Sequence, residues 1–337
     1  MTMTSVRGGT ADGPAIGLLG DVMLGRGVGS TLRFRQAGEL WDPELRALAA
    51  TLDAVVCNLE CCISARGAPT SLIADKPFFF RAPPVAVAAL ETIGVRAVTL
   101  ANNHAHDFGG HALADTARSL ATAGIVVAGA GPNRQAARRA AVFDAGGRRV
   151  GLVAATDHPV EFAATPSGWG VAYADLRHGP PRWLLDELDR ARERCDVVIV
   201  SPHWGPNMTT HPADWQRRAA TDLQDAGADL VAGHSAHLFH GLQWTASGPI
   251  LYDLGDALDD YRIDPELRND LGVLAIWRPG SASTPVELVG LRLEYARTGL
   301  ALAADADWIA ARLRRACGEL GTRVTRIAEQ RFRVEPA

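Results

Sequence analysis

The sequence is almost devoid of lysine: Lys76 is its one lysine, set against 33 arginines. No run of about 18 apolar residues occurs, so a transmembrane helix is not expected. There is no basic excess either, because 34 basic residues face 38 acidic ones and the net charge is −4. This balance weighs against a nucleic-acid-binding protein, which usually carries a basic surface.

The five cysteines lack the CxxC spacing of a structural zinc site, and their odd, unpatterned number is typical of reduced thiols. The first apolar run, over 15–19, is short, and no basic segment precedes it. A secretory leader has a basic segment followed by a long apolar run. These features predict a cytoplasmic protein whose residues 1–14 form a disordered polar tail.

Short apolar runs alternate with amphipathic segments through the first two-thirds of the chain, and strand-like runs dominate the last third. This order is typical of an α/β core extended by antiparallel strands. We expect a single domain over 15–337, in which the strands and the helix after about residue 260 pack on the core. The longer predicted helices cover 43–52, 84–93, 109–123, 180–194, 213–226 and 304–320.

Polar side chains that can bind metals follow the carboxyl ends of six predicted strands. Ligands of open α/β sheets bind at this edge, and six such positions in register are hard to explain as turn-forming residues. The residues are Asp21, Asn58 and Glu60, Asn102 to His104, His203, His234 and His237, and Asp256.

An ordered set of motifs occurs between about residues 15 and 260. It comprises GDVMLGRGV, CNLE, KPFFFRAPP, LANNHAHDFG, PHWG, GADLVAGHSAH and YDLGD. Together they resemble the CapA family, whose members are poly-γ-glutamate capsule-synthesis proteins of the calcineurin-like metallophosphoesterase superfamily. The resemblance implies a four-layer α/β sandwich with two mixed central sheets flanked by helices.

The resemblance also implies a site for one or two divalent metals, such as Mn²⁺, Mg²⁺ or Zn²⁺. Asp21 would be the first ligand, and either Glu60 or Asn58 would hold the bridging position. His104 would act as proton donor, Asp21 would serve both as ligand and as catalytic residue, and His237 would match the distal catalytic histidine. The implied metal ligands are Asp21, Glu60, Asn103, His203, His234 and His237.

Some positions depart from the family pattern. Met23 stands where a ligand histidine is expected, and a thioether is a poor ligand for a hard dication. Ser235 likewise replaces an expected ligand, and Asp256 stands where asparagine is common. The sequence therefore predicts that the metal position nearest Asp21 is weakened, so that the chain binds one metal or none.

Cationic and amide side chains near these motifs predict recognition of an anionic small molecule or peptide. Lys76 and Arg81 flank a triple phenylalanine and could bind a carboxylate or phosphate, the arginine with two hydrogen bonds. Arg26 follows Asp21 by five residues and could bind the same anion, and Asn58 is a further candidate for substrate binding. The sequence leaves the oligomeric state open.

Three functions fit this set of residues. The first is a metal-assisted hydrolase of a phosphoester or of a glutamyl or peptidic amide. The second is a metal-independent acid/base enzyme, such as an epimerase acting at the Cα of a peptide. The third is a non-catalytic factor in capsule or polymer synthesis.

Overall fold

A computed structural model describes residues 13–280 and 283–337, so most of the expected tail over 1–14 lies outside the described residues. The strands in chain order are β1 (Ile16–Val22), β2 (Ala54–Leu59), β3 (Cys62–Ile63), β4 (Arg81–Ala82), β5 (Val95–Thr99), β6 (Val126–Ala128), β7 (Ala130–Gly131), β8 (Ala141–Ala145), β9 (Arg148–Thr156), β10 (Gly170–Val171), β11 (Val197–His203), β12 (Leu230–Ala232), β13 (Leu242–Thr245), β14 (Gly248–Leu251), β15 (Asp256–Leu258), β16 (Leu271–Trp277), β17 (Val286–Glu294), β18 (Arg297–Leu300), β19 (Thr322–Ala328) and β20 (Arg331–Pro336).

The six predicted helices lie close to where the apolar periodicity places them, whereas the short helices α1 and α5 were not predicted. Pro43 opens the second helix directly after Asp42, as suits a first turn where the amide has no partner. The α-helices are α1 (Arg26–Thr31), α2 (Pro43–Ala49), α3 (Val87–Thr92), α4 (Gly109–Thr122), α5 (Arg134–Ala137), α6 (Arg182–Arg192), α7 (Asp214–Asp225) and α8 (Ala303–Gly318), with short 3₁₀ turns at Ala37–Leu40, Pro84–Ala86 and Val160–Phe162.

Two mixed sheets form the centre of the molecule. The larger follows the order β19-β20-β17-β16-β1-β2-β5-β6, with β15 beside β1 and β18 beside β17. The smaller follows the order β13-β14-β12-β11-β9-β8. In the large sheet the parallel strands β1, β2, β5 and β6 run to one edge, and antiparallel strands extend the sheet on the other side of β1. In the small sheet antiparallel strands flank a parallel centre on both sides.

Three apolar layers show how the sheets and helices stack. The layer between the sheets contains Leu18 of β1 and Ile199 of β11. A second layer joins the other face of the large sheet to α2, α3 and α4, and a third joins the small sheet to α6 and α7. This is the four-layer α/β sandwich that the resemblance implied, so the predicted fold class is confirmed.

The last part of the chain completes the large sheet. Strand β16 lies antiparallel to β1, and β17 and β20 continue the sheet outward. The hairpin of β19 and β20 was absent from the sequence prediction, which ended on a helix. Arginines and apolar residues alternate in β20 with the period of a strand. The many arginines of this hairpin lower its overall apolar content, so that no apolar run marks it in the sequence. Among the described residues, no helix is long and apolar enough to cross a lipid bilayer.

Candidate metal centre

The carboxyl end of β1 places Asp21 between two parallel neighbours. Asp21 is in register with Asn58 of β2 on one side and with Asp256 of β15 on the other. Gly20 permits this approach, because a Cβ at that position would lie 1.7 Å from the carbonyl oxygen of Gly255. Three distant stretches of the chain thus deliver polar side chains to one point at the edge of the sheet.

Four buried side chains meet there and form a group that we call the Asp21 cluster: Asp21, Glu60, His237 and Asp256. One potential ligand atom from each lies within 4.8 Å of the others. The Nδ1 atom of His237 is 2.8 Å from Oδ1 of Asp256 and 3.6 Å from Oδ2 of Asp21. Carboxylates and imidazoles at this separation can share one divalent cation.

Two further imidazoles adjoin the Asp21 cluster. The Nδ1 atom of His234 lies 3.4 Å from Oδ1 of Asp21, and the other ring nitrogen contacts the Ser201 hydroxyl at 3.0 Å. The Nε2 atom of His203 lies 3.9 Å from Oε1 of Glu60. Ser201 thus fixes the ring of His234 so that its free nitrogen faces Asp21.

The side chain of Asn58 connects Asp21 with His203. Its amide nitrogen donates to Oδ1 of Asp21 at 2.8 Å and lies 3.3 Å from Nδ1 of His203. Its carbonyl oxygen accepts hydrogen bonds from Thr99 and Asn102. Asn58 is fully buried. This placement differs from the prediction that Asn58 binds substrate or bridges metals, because its polar atoms already have protein partners.

Several buried polar atoms around the Asp21 cluster have no hydrogen-bond partner within the described structure. Burying such atoms without a partner costs free energy, so their concentration at one point indicates a missing ligand. The atoms are Oε1 of Glu60, Nε2 of His203, Nδ1 of His234 and Oδ2 of Asp256. Oδ1 of Asn103, whose backbone carbonyl accepts from Lys76, also lacks a partner among the described residues. All are oxygen or imidazole nitrogen donors, which fits the residues to a divalent cation.

Burial and mutual repulsion set the protonation of these groups. Burial raises the pKa of Glu60 well above its ordinary value, and the charges of Asp21 and Asp256 raise it further. Burial also raises the pKa of Asp256, to which the charges of Asp259 and Asp21 add. Asp21 differs: burial raises its pKa, but the nearby imidazoles, above all His234, outweigh that effect and hold it below the ordinary value.

The pKa values of the two histidines also shift in opposite directions. Burial lowers the pKa of His203 well below its ordinary value. Burial acts similarly on His237, but the carboxylates of Glu60 and Asp21 outweigh it and leave the pKa raised. The pKa values of these groups are therefore set largely by one another, as expected for closely spaced buried ionisable side chains.

A second group of buried charges lies beside the first, and we call it the Asp107 group: Asp107, His104 and Lys76. Oδ2 of Asp107 is 2.7 Å from Nδ1 of His104, and Oδ1 is 3.3 Å from Nζ of Lys76. The backbone amide of Phe80 also donates to this carboxylate at 2.7 Å. The His104 ring stacks on Phe80 at 3.8 Å, and burial lowers the pKa of His104 to about 4.

The cationic residues predicted to hold a substrate anion lie in different surroundings. Lys76 is nearly buried, bonded to Asp107 and to the Asn103 carbonyl oxygen at 2.9 Å. Arg81 donates to the carbonyl oxygens of Arg66 and Gly67. These protein partners differ from the expected role of Lys76 and Arg81 as free anion binders.

Arg26 is the predicted anion binder with the greatest access to solvent. Its guanidinium lies 3.3 Å from Asp260 and within 6 Å of the Phe78, Phe80 and Tyr261 rings. The hydroxyl of Tyr261 in turn donates to Oε2 of Glu60 at 3.3 Å. An aromatic wall thus links the exposed Arg26 to the Asp21 cluster.

Asp256 belongs to the cluster although the sequence pattern predicts it only as a polar residue at a strand end and not as a metal ligand. The parallel bridge between β1 and β15 brings its carboxylate to Asp21, where the missing imidazole at position 23 was expected to weaken the site. Met23 instead packs in the core, and its sulfur accepts the Gly25 amide at 3.0 Å. The available ligand count near Asp21 is therefore higher than the sequence suggested.

Comparisons with known proteins agree with the motif pattern. A profile of the family described as "Bacterial capsule synthesis protein PGA_cap" matches residues 15–261. A protein of Mycobacterium tuberculosis named as a probable polyglutamine synthesis accessory protein is 32% identical over 98% of both chains. The PGA biosynthesis protein CapA of Bacillus subtilis is 28% identical over 72% of this chain and 62% of its own length.

A comparison of folds finds a hypothetical protein from Thermus thermophilus, with a TM-score of 0.42 and 15% sequence identity. The match covers 84% of this chain and 95% of the Thermus protein. The two mixed sheets and the three apolar layers define the fold of this chain.

Proposed function

Because the chain belongs to the bacterial capsule synthesis protein family, we propose that it is a metal-assisted hydrolase acting on an anionic substrate. The substrate class is a phosphoester or the amide bond of a glutamyl or peptidic compound. The observation that supports this most directly is the convergence of Asp21, Glu60, His237 and Asp256 on one buried point. Further support comes from the unpartnered nitrogens of His203 and His234 beside it.

The ligand chemistry favours a divalent cation over a cationic side chain. Three of the four cluster members carry carboxylates, and two of these have pKa values raised by burial and mutual repulsion. A divalent cation would remove that repulsion and satisfy the unpartnered acceptors. Mixed oxygen and imidazole donors suit Mn²⁺, Zn²⁺ or Mg²⁺. When bound, such a cation supplies Lewis acidity and a nucleophile at neutral pH.

The protein's own residues divide the remaining work. Asn58 and Ser201 hold Asp21, His203 and His234 in fixed orientations, so that little rearrangement is needed when a ligand arrives. Asp21 stays ionised, since nearby imidazoles hold its pKa low.

His104 faces the Asp107 carboxyl group through Nδ1, and the lowered pKa of His104 keeps its ring neutral at pH 7. Its Nε2 is then an acceptor, which suits a role in taking or sharing a proton better than the predicted role of proton donor. Arg26, at the end of the aromatic wall, remains the residue best placed to hold the substrate anion.

One observation favours a second candidate, isomerisation at a Cα without metal. Both carboxylates approach the same ring nitrogen of His237, Nδ1, with Asp256 at 2.8 Å and Asp21 at 3.6 Å. In that reaction His237 would exchange a proton with substrate, and Asp21 and Asp256 would stabilise its charged form.

The two candidates differ in their response to metal removal. Untagged protein would be assayed for bound metal and then for hydrolysis of p-nitrophenyl phosphate and glutamyl p-nitroanilide, before and after EDTA treatment and with added Mn²⁺. We expect bound or restorable Mn²⁺ and hydrolysis that EDTA abolishes. Asp144→Asn, an exposed change of equal charge, is the matched control for Asp21→Asn.

Two results would contradict the hydrolase. One is activity that survives EDTA, with solvent deuterium entering a peptide substrate at Cα, which would establish the isomerase. The other is tight Mn²⁺ binding at the Asp21 cluster without turnover of either probe class, which would leave a non-catalytic role in polymer synthesis.

A further inference from the structure

A wide groove on the small-sheet side of the molecule is lined mainly by arginines, and we call it the arginine groove. It has a volume of about 780 Å³ and lies between the α5 segment and α6. Its lining consists of Asn133, Arg134, Gln135, Arg138, Arg139, Pro166, Trp183, Glu187, Arg190 and Arg194. Five arginines thus face one glutamate, in a chain whose net charge is −4.

The single carboxylate of the groove already has partners. Glu187 pairs with Arg190 at 3.0 Å and with Arg194 at 3.4 Å, and it also accepts the backbone amide of Ala140. Within residues 13–280 and 283–337, no carboxylate lies within 4.0 Å of the guanidiniums of Arg134, Arg138 or Arg139. Arg134 donates to the Ala164 carbonyl oxygen at 3.4 Å through Nε, which leaves the terminal nitrogens of its guanidinium for an external anion. Three cations along one wall therefore lack an ionic partner among the described residues.

The positive charges of the arginine groove repel one another, and Arg138 shows the effect. Its guanidinium lies over the Trp183 ring at 4.5 Å, half-buried at the floor of the groove. Burial lowers the pKa of Arg138, and the charge of Arg134 lowers it further. A bound anion would relieve this repulsion while the indole supports the guanidinium.

We propose that the arginine groove binds an acidic peptide segment through its carboxylates. Guanidiniums pair with carboxylates through two parallel hydrogen bonds, and Glu187 already makes such contacts within the groove. The arginines are spread over two segments instead of converging on one point, which suits several carboxylates along a chain better than one phosphate. Trp183 is the one aromatic ring of the lining, whereas single-stranded nucleic acid is usually bound by several stacked rings.

The groove is connected to the Asp21 cluster by one loop. The stretch 157–169 begins beside the cluster, where the His158 ring lies 5.5 Å from that of His203. It then reaches the groove at Pro166, and the amide of Arg134 donates to the Thr165 carbonyl oxygen at 2.7 Å. An acidic chain bound in the groove would thus contact a loop whose other end lies beside the candidate metal centre.

Binding can be tested without reference to catalysis. Fluorescence anisotropy would measure the affinity of the full chain for a fluorescein-labelled oligoglutamate peptide, with oligoglutamine as the uncharged comparison. Arg134→Ala/Arg139→Ala removes two exposed charges from the groove. Arg96→Ala/Arg314→Ala removes two exposed charges elsewhere and is the matched control. Circular dichroism melts of all variants would establish that they fold.

We expect oligoglutamate to bind with an affinity that falls as NaCl rises from about 0.05 M to about 0.3 M. The groove variant should bind about tenfold more weakly or worse, and the control variant within about twofold of the parent. Equal weakening by both variants, or no binding at low salt, would overturn the proposal. Tighter binding of an oligothymidylate, lost in the groove variant, would assign the groove to nucleic acid instead.

Discussion

Two buried groups of charge lie side by side in this protein, and they are balanced differently. The carboxylate of Asp107 forms an ion pair with Lys76 through one oxygen, at 3.3 Å, and contacts His104 and the Phe80 amide through the other. The carboxylates of the Asp21 cluster have no lysine or arginine within 4.0 Å in the described part of the chain. Within residues 13–280 and 283–337, Oε1 of Glu60 and Oδ2 of Asp256 form no hydrogen bond.

The difference indicates which group is structural and which awaits a ligand. A buried charge is tolerated when paired, and Lys76, the one lysine of the chain, pairs Asp107. Burying a cluster of carboxylates without such a partner costs free energy and so destabilises the fold. A bound ligand explains such a cluster better than a structural role does. We therefore expect changes in the two groups to have opposite effects on the stability of the metal-free protein.

The largest effect is expected for Lys76→Met. The substitution keeps the length of the side chain but leaves Asp107 buried without its cation, which typically costs about 3–5 kcal/mol. Urea unfolding of the metal-free protein would measure it, with Arg314→Met as the exposed control. A loss below about 1 kcal/mol would mean that Asp107 is balanced by His104 alone.

The next largest effect concerns activity. Asp21→Asn keeps the shape of the side chain and removes the carboxylate shared by His234 and His237. We expect Mn²⁺-dependent turnover to fall about 10²-fold, equivalent to about 2.7 kcal/mol of activation free energy. The kinetics of the variant and of Asp144→Asn would be compared at saturating Mn²⁺. Turnover equal to that of Asp144→Asn would remove Asp21 from the mechanism.

A pH effect tests a buried imidazole outside both groups. Burial lowers the pKa of His240 to about 4, and the nearby charges of Arg312 and His211 contribute. In the unfolded chain the pKa is ordinary, near 6.5, so the unfolded state takes up the proton first as pH falls. Stability from this group is complete above about pH 6.5 and decreases toward pH 4.

The expected loss between pH 7 and pH 5 is about 2 kcal/mol. His240→Gln keeps a donor for the Thr209 carbonyl oxygen and should remove that part of the pH dependence. Denaturation curves of both proteins at the two pH values would measure the difference. Parallel pH profiles would show that His240 titrates normally in the fold.

The smallest effect has the opposite sign to the first. Asp256→Asn still accepts from His237 but cannot carry charge, so it should stabilise the metal-free protein by about 1 kcal/mol. With Mn²⁺ at about 100 times its dissociation constant, the parent should gain about 2.7 kcal/mol and the variant less. Thermal melts with and without Mn²⁺ would measure both. Destabilisation without metal would place Asp256 among the structural residues.

The sequence was sufficient for the architecture and for most of the site. The strand-end pattern placed Asp21, Glu60, His203, His234 and His237 on one edge of the sheets, and the structure brings them together. Parallel strands make this possible, because their carboxyl ends share an edge and each end is visible as a change from apolar to polar residues. Their roles as ligands or catalysts remain predictions.

What the sequence did not reveal depends on contacts between distant residues. The pairing of Lys76 with Asp107 turns an expected anion binder into an internal partner, and no local pattern around Lys76 indicates it. Asn58 is similar, since its oxygen is taken by Thr99 and Asn102 from a neighbouring strand and loop. Asp256 joins the cluster through a parallel bridge to β1 that spans most of the chain.

The parallel pairing of β1 with β15 also determines when the Asp21 cluster can form during synthesis of the chain. Asp21 leaves the ribosome early, whereas Asp256 and the neighbouring strand β16 follow only after most of the chain has been made. At ~5–20 residues per second the interval is on the order of 10–50 s. During it, β1 lacks two of its final neighbours, and the cluster cannot yet hold a cation. The Asp21 cluster therefore becomes complete only when synthesis has passed β15 and the large sheet has closed around its first strand.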